Sequence, residues 1–390
     1  MTEWKEYKLG DLTIDGKGSY GIAAPAVDYD ADKYTYLRIT DINDDGTLNK
    51  NGLKSVDDKN ASKYLLQQND IVFARTGASV GRSYFYDGRD GELVYAGFLI
   101  KYSIDPLKVN PKILKFYTHS QAYYDWITAV DNGATRGNIN AQTFASMPVS
   151  LPERKVQDKI VSILSSLDDK IDLLHRENAT LEQMAETMFR QWFVEESKEE
   201  WEEVPLGNVV KTTSGGTPSR KHSEYYENGT INWVKSKELN GTFISSTEEL
   251  ITKEAVAKSS AKMLPEKSVL IAMYGATVGE YGILSKPMTC NQAVCALIPN
   301  ENYPYTYLYV WTALMKEDFI NLASGAAQQN ISQDLIKQQI VCSDLDKIKQ
   351  YDEMVRGYFE KMENNQKQII TLAETRDGLL GRLMSNEIKL

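Results

Sequence analysis

Two stretches of the chain set apolar residues three and four positions apart. The first follows MPVSLPER (147–154), where Pro148 and Pro152 exclude an earlier helix start. It runs through Val156, Ile160, Ile163, Leu167, Ile171, Leu174, Leu181, Ala185, Met188 and Trp192, with Asn178 in the one polar slot. The second runs through Ile348, Tyr351, Val355, Tyr358, Met362, Asn365, Ile369, Leu372, Arg376, Leu379 and Leu383. Such spacing marks coiled-coil seams of about five heptads. Two seams of equal length in one chain most simply bury each other. The domain of about 140 residues between them lets the chain come back, so the pattern predicts an antiparallel pair. Asn178 and Asn365, near the middle of each seam, would then fix its register. The alternative is that each helix packs on its own globular domain, which needs a wider apolar stripe.

Outside the two helices the period changes. DIVFAR (70–75) and SVLIAMY (268–274) are β-branched and aromatic runs ending in glycine-bounded loops, which read as strands. Aromatic helix candidates follow at 113–130 and 306–324, their rings expected in the core. These features recur in the same order because the chain is written twice. EWKEYKLGDL answers EWEEVPLGNV, TGASVG (76–81) answers YGATVG (274–279), and NGATRGNIN (132–140) answers SGAAQQNIS (324–332), at an offset of about 192 to 198 residues. That period is too long for a solenoid repeat. The expected class is α+β: similar globular domains at 1–153 and 199–343, followed by helices at 154–198 and 344–390, paired with pseudo-two-fold symmetry.

Composition changes this picture little. At 390 residues, with 42% hydrophobic and 25% charged, the chain has the balance of a soluble globular protein. No apolar run approaches the length needed to span a bilayer, and the N-terminus lacks the apolar core of a signal peptide. Three cysteines without CxxC spacing favour a reducing compartment, the cytoplasm. Charge matters more. The net −10 is spread as −3 over 1–153, −4 over 154–200, −2 over 201–343 and −1 over 344–390. Any nucleic-acid binding must therefore use local basic patches or a partner's cations.

Candidate catalytic motifs are missing. SGGTPSRKH (214–222) lacks the spacing of a phosphate-binding P-loop, and no Gly-rich dinucleotide fingerprint follows a strand. His119, His175 and His222 share no motif with a cysteine, so no metal site is expected. Recognition remains. Arg75, Thr76, Ser79 and Arg82 lie in the first glycine loop, Tyr274 and Thr277 in the second, with Arg75 and Arg82 giving way to Tyr274 and Glu280. Hydroxyls and amides suit phosphates, and arginine reads guanine edges in the major groove. The alternative for the glycines is a tight hairpin. Arg136 and Asn138, against Gln328 and Gln329, form a second set; Asn and Gln can pair with adenine or simply make turns. Arg38 and Lys235, with Lys237 close by, hold matching positions suited to phosphate, and Ser219, Arg220 and Lys221 form the most basic loop of the second half.

At these residues the chain resembles the specificity subunits of type I restriction-modification systems. TTSGGTPSRKHSEYYENGTINWVKSKEL (212–239) is similar to the opening of that family's target-recognition domain, and MYGATVGEYGILSKPMTCNQAVCALIP (273–299) to its middle. The stretch 151–194 resembles the helical region between two such domains. The first domain departs from the pattern: it lacks the GGTPS passage, and Tyr95, Ala96, Gly97 and Phe98 replace Asn291, Gln292 and Ala293. The resemblance implies that each domain reads half of a bipartite, asymmetric double-stranded DNA target. It implies helices that act as spacer and dock two methyltransferase subunits, with motor-nuclease restriction subunits joining them. It implies no cofactor in this chain, S-adenosylmethionine binding instead to the methyltransferases. An orphan or exchangeable specificity subunit fits the same residues. A non-DNA coiled-coil scaffold bearing two ligand-binding modules is the reading from another class. The first seam, at 1.5 Å per residue, spans about 55 Å, or about 16 base pairs, an upper bound on the separation of half-site centres.

Overall fold

The computed structural model describes residues 4–133, 138–196, 202, 204–324, 330–385 and 387–388. The chain divides into two compact units, 1–170 with 372–390, and 171–371. The boundary thus falls inside both long helices, Arg154–Arg190 and Leu345–Met384.

In the first unit the central sheet orders Ser19–Tyr20, Leu99–Ser103, Asp70–Ala74 and Ser83–Phe85, all antiparallel. A second sheet orders Ala26–Asp28, Lys54–Val56, Thr35–Leu37 and Leu93–Tyr95, the last pair parallel. Asp70–Ala74 reads as an unbroken apolar run because both its faces are covered. Ile71 and Phe73 join the core beneath the helices, while Val72 and Ala74 join the core shared with the second sheet.

The second unit repeats this plan. Its central sheet orders Lys211–Ser214, Val294–Ile298, Val269–Ala272, Tyr281–Leu284 and Phe243–Ile244. Leu250–Ile251, Ile231–Val234 and Thr289–Cys290 form the smaller sheet, again ending in a parallel pair. Val269 and Ile271 face one core, Leu270 and Ala272 the other. Each domain is also tied shut by its own ends: Lys5–Lys8 pairs with Pro148–Leu151, and Val204–Pro205 with Ile340–Val341.

Both aromatic helix candidates are broken in two. The first becomes Lys112–Tyr117 and Gln121–Gly133, interrupted where the Thr118 hydroxyl and His119 Nδ1 turn back to the Lys115 carbonyl at 3.0 and 2.8 Å. The second becomes Tyr305–Leu314 and Lys316–Ser324, parted at Met315. Tyr117, Tyr123, Tyr307, Tyr309 and Trp311 lie in the cores, as expected of core aromatics; Tyr124 is exposed.

Within each unit the two long helices pair in opposite directions. In the second, Asn365 Nδ2 donates to Asn178 Oδ1 and Glu177 Oε2, both at 2.8 Å, and the Tyr351 hydroxyl donates to the Ala185 carbonyl at 3.1 Å. The two polar seam residues therefore meet, in an otherwise apolar layer where a polar pair singles out one register. In the first unit Asp168 receives Arg376 at 3.1 Å, and Ile160 and Leu164 share a core with Leu380 and Leu383.

The seam is broader than strict three-four spacing implies. Ile160, Leu174, Val355, Met362, Asn365, Ile369 and Leu383 are buried, whereas Ile163, Leu167, Ile171, Asn178, Leu181, Met188, Leu372 and Leu379 are half-buried. Val161, Leu164, Phe189, Phe359 and Leu380, off the predicted seam, are buried as well. Each helix serves two neighbours, the other helix and a globular core, so both packing alternatives hold together.

Asp168 joins three elements of the first unit, accepting Lys115 Nζ at 2.6 Å as well as Arg376. Burial alone would raise its carboxyl, but the two cations outweigh it and hold the pKa below the ordinary value. A depressed folded-state value contributes stability that is full above the unfolded-state pKa and lost as pH falls through the folded one. Thermal melts are therefore expected to show wild type losing its advantage over Asp168→Asn as pH drops below about 4. A constant gap across that range would separate the effect from ionisation.

Candidate nucleic-acid interface

The two glycine loops occupy equivalent places. Each connects antiparallel strands of a central sheet through a short 3-10 turn, Gly77–Ser79 or Gly275–Thr277. Gly81 and Gly279 follow at φ of 85° and 83°. A Cβ there would also come within 2.9 Å of Ile127 or 3.0 Å of the Lys316 carbonyl, so these glycines are demanded by the hairpin itself.

The glycine loop and the asparagine loop, separate candidate sets in the sequence, are joined in both units. Thr76 bridges Asn138, and Tyr274 bridges Asn330. The flanking amides repeat the match: Ile139 N donates to the Arg75 carbonyl and Ile331 N to that of Met273, both at 2.9 Å. This register corrects one expectation. Tyr274 stands where Thr76 does, and the counterpart of Arg75 is the buried Met273. Arg82 and Glu280 do correspond, each carbonyl accepting from Ala74 N or Ala272 N. Arg136, Gln328 and Gln329 lie outside the described residues.

Several predicted cations already have carboxylate partners. Arg38 forks onto the buried Asp41 through Nε at 2.8 Å and Nη2 at 2.6 Å, and also reaches the Gly52 carbonyl. Arg38 and Lys235 indeed match: each precedes a 3-10 turn, and its backbone amide donates to Asp41 or Glu238 at 2.8 and 2.7 Å. Arg82 donates to the Ile42 carbonyl at 3.1 Å and meets Asp44 at 2.6 Å. Arg220 meets Glu249, Lys235 meets both Glu248 and Glu249, and Lys237 meets Glu248. The Arg220 fork and then Lys235 draw the Glu249 carboxyl down to about 2.

Ser79 is buried, and the Thr277 hydroxyl is turned back to the Tyr274 carbonyl at 3.0 Å; both shape their loops. Ser219, Lys221, Tyr274 and Asn138 are exposed.

Arg75 differs from the paired cations. No carboxylate meets it among the described residues, and its Nε is buried without a partner. Its guanidinium lies 5.0 Å from the centre of the Tyr20 ring, and its amide donates to the Phe98 carbonyl at 3.1 Å. Tyr20 and Phe98 are themselves 42% and 58% exposed, so exposed rings lie on two of the segments that contact Arg75. Neither aromatic was singled out from sequence. Phe98 enters there only as part of the segment that replaces Asn291, Gln292 and Ala293.

Among the described residues no group of three or more His, Cys, Asp or Glu is placed to hold a metal, and no helix is long and apolar enough to cross a membrane.

Comparison with known proteins bears on these surfaces. The family described as "Type I restriction modification DNA specificity domain" matches residues 1–183 and 198–342. The specificity subunit of the type I restriction enzyme HindI from Haemophilus influenzae is 25% identical, over the full length of both chains. That of EcoR124I/EcoR124II from Escherichia coli is 28% identical over 55% of this chain and 54% of that one. In fold the chain is similar to the crystal structure of a type I restriction-modification S subunit from M. genitalium, with a TM-score of 0.56 and 15% identity. That match covers 98% of this chain and 96% of the other.

Proposed function

This chain belongs to the type I restriction modification DNA specificity family, and from that membership we propose that its two units each read one half of a bipartite, asymmetric DNA target. The observation that carries the proposal is the repeated pair of joined loops, Thr76 with Asn138 and Tyr274 with Asn330, mounted on matching sheets but bearing different side chains. A common scaffold with divergent tips is what two readers of unlike sequences require. Arg75, beside Tyr20 and Phe98, is the leading base-reading candidate of the first unit. Tyr274, Ser219 and Lys221 offer exposed contacts in the second, with Arg220, Lys235 and Lys237 directed to phosphates.

The chain supplies address and leaves catalysis to its partners. Two methyltransferase subunits, carrying S-adenosylmethionine, dock on the paired helices, and restriction subunits join them in the cytoplasm. Partner cations on the DNA backbone make the net −10 of this chain tolerable.

The helices act as the spacer between half-sites. Adding one matched heptad to both is expected to lengthen the spacer by about three base pairs, since seven residues rise about 10.5 Å. Single-molecule methylation mapping of a host carrying the variant reads this directly. Altered half-sites at an unchanged spacing would defeat the spacer role. Deleting the gene should abolish one bipartite adenine-methylation motif; retention of every motif would defeat the functional assignment itself.

A further inference from the structure

Three cations of the second unit converge on two adjacent carboxylates. Arg220, in the loop after Lys211–Ser214, forks onto Glu249, with Nη1 to Oε1 at 3.0 Å and Nη2 to Oε2 at 2.7 Å. Lys235 Nζ lies 2.9 Å from Glu249 and 3.5 Å from Glu248, and Lys237 Nζ lies 2.6 Å from Glu248. The cations are also held from behind. The Arg220 guanidinium sits 4.1 Å from the Tyr226 ring centre and 5.5 Å from that of Trp233, which Lys235 approaches at 5.9 Å. The carboxylates are anchored too. Glu248 N donates to Glu238 Oε1 at 2.8 Å, and Glu238 Oε2 accepts from Lys235 N at 2.7 Å. Lys221 stands exposed alongside with no ion pair among the described residues.

A carboxylate gripped by a guanidinium fork and an ammonium presents two anionic oxygens on one atom, as a phosphodiester does. Solvent-exposed ion pairs of this kind contribute little to stability, so a role as staples explains little. Their larger effect is on charge: cations that would attract any duplex are mostly cancelled.

We propose that Glu248 and Glu249 fill a backbone-phosphate site of the second unit as internal surrogates, keeping Arg220, Lys235 and Lys237 ordered and neutralised until DNA phosphates displace them. The proposal rests on the reading of the chain as a DNA specificity protein. Arbitrary duplex gains nothing by exchanging one anion for another. Cognate duplex makes base contacts besides, and these drive the exchange. The carboxylates thereby hold down the affinity for duplex of arbitrary sequence.

The test is Glu248→Gln with Glu249→Gln in the full chain, assembled with its methyltransferase subunits. Binding is measured across roughly 50 to 200 mM salt. The probes are a duplex carrying the methylated motif and one of arbitrary sequence. The double variant is expected to bind arbitrary duplex more tightly, with a log–log salt slope steeper by about two. Arg220→Ala should weaken binding of the motif duplex and make its slope shallower by about one. If the double variant does not fold, Glu249→Gln alone should steepen the slope by about one. Unchanged arbitrary-duplex affinity and slope, with Arg220→Ala still weakening binding, would overturn the surrogate and leave the DNA reading intact. Lowered thermal stability with unaltered DNA binding would overturn it equally, by making the network a staple. A wild-type assembly that does not prefer the motif duplex would instead overturn the reading beneath it.

Discussion

Phe359→Ala is expected to destabilise the chain by about 3–5 kcal/mol, the range for truncating a large core aromatic. Phe359 is fully buried on the second long helix. Its ring meets Tyr305 edge-on at 5.8 Å and Tyr309 at 5.3 Å, so truncation opens a cavity and removes two aromatic pairs. Tyr309 also donates to Glu182 on the first helix at 2.7 Å, so the void would lie beside the contact joining both helices to the second domain. Against a typical total stability of about 5–15 kcal/mol, the loss is large. Urea unfolding of the full chain measures it. The exposed Leu173→Ala, on the other long helix, serves as control and should stay within about 0.5 kcal/mol of wild type. A loss below about 1 kcal/mol for Phe359→Ala would mean that the helix is not keyed into this core.

Arg75→Ala is expected to lower discrimination at the half-site read by the first unit by about 1–3 kcal/mol, roughly 5- to 150-fold, and to leave the other half-site unaffected. The Arg75 guanidinium lies beside the exposed Tyr20 ring and meets no carboxylate among the described residues, so a base edge would offer its terminal nitrogens an acceptor. Arg75→Lys keeps the charge but loses the planar fork, and should recover affinity more than discrimination. Competition binding with duplexes altered in one half-site at a time separates the two. Equal losses across both half-sites would make Arg75 a general phosphate contact.

Legibility in the sequence followed the range of the forces involved. The paired helices were readable because their three-four spacing is local, and the meeting of Asn178 with Asn365 follows from two polar slots in two equal seams. The helices' second neighbour was harder to see. Val161, Leu164 and Phe359 lie one position off the seam and look incidental until a globular core takes them up. Apart from Asp41, three residues after Arg38, the charge partners are distant in sequence: Asp44 lies 38 residues before Arg82, and Glu249 lies 29 after Arg220. The loop match of 76–81 with 274–279 does set register, placing Tyr274 on Thr76; setting Tyr274 against Arg75 departed from it by one residue.

The closing of each domain by its own terminal strands has an evolutionary consequence. Lys5 faces Leu151 across an antiparallel pair, and Val204 faces Val341, so each domain enters and leaves at points about 5 Å apart. Every residue proposed to touch a target is strung between those two points, and the helix seam begins just beyond. Crossovers in flanking DNA at the two strands would exchange a whole reading surface as one cassette. The newcomer needs only to present the same strand pair at its base, so a lineage can acquire a new target in one recombination event while its assembly contacts stay as they were.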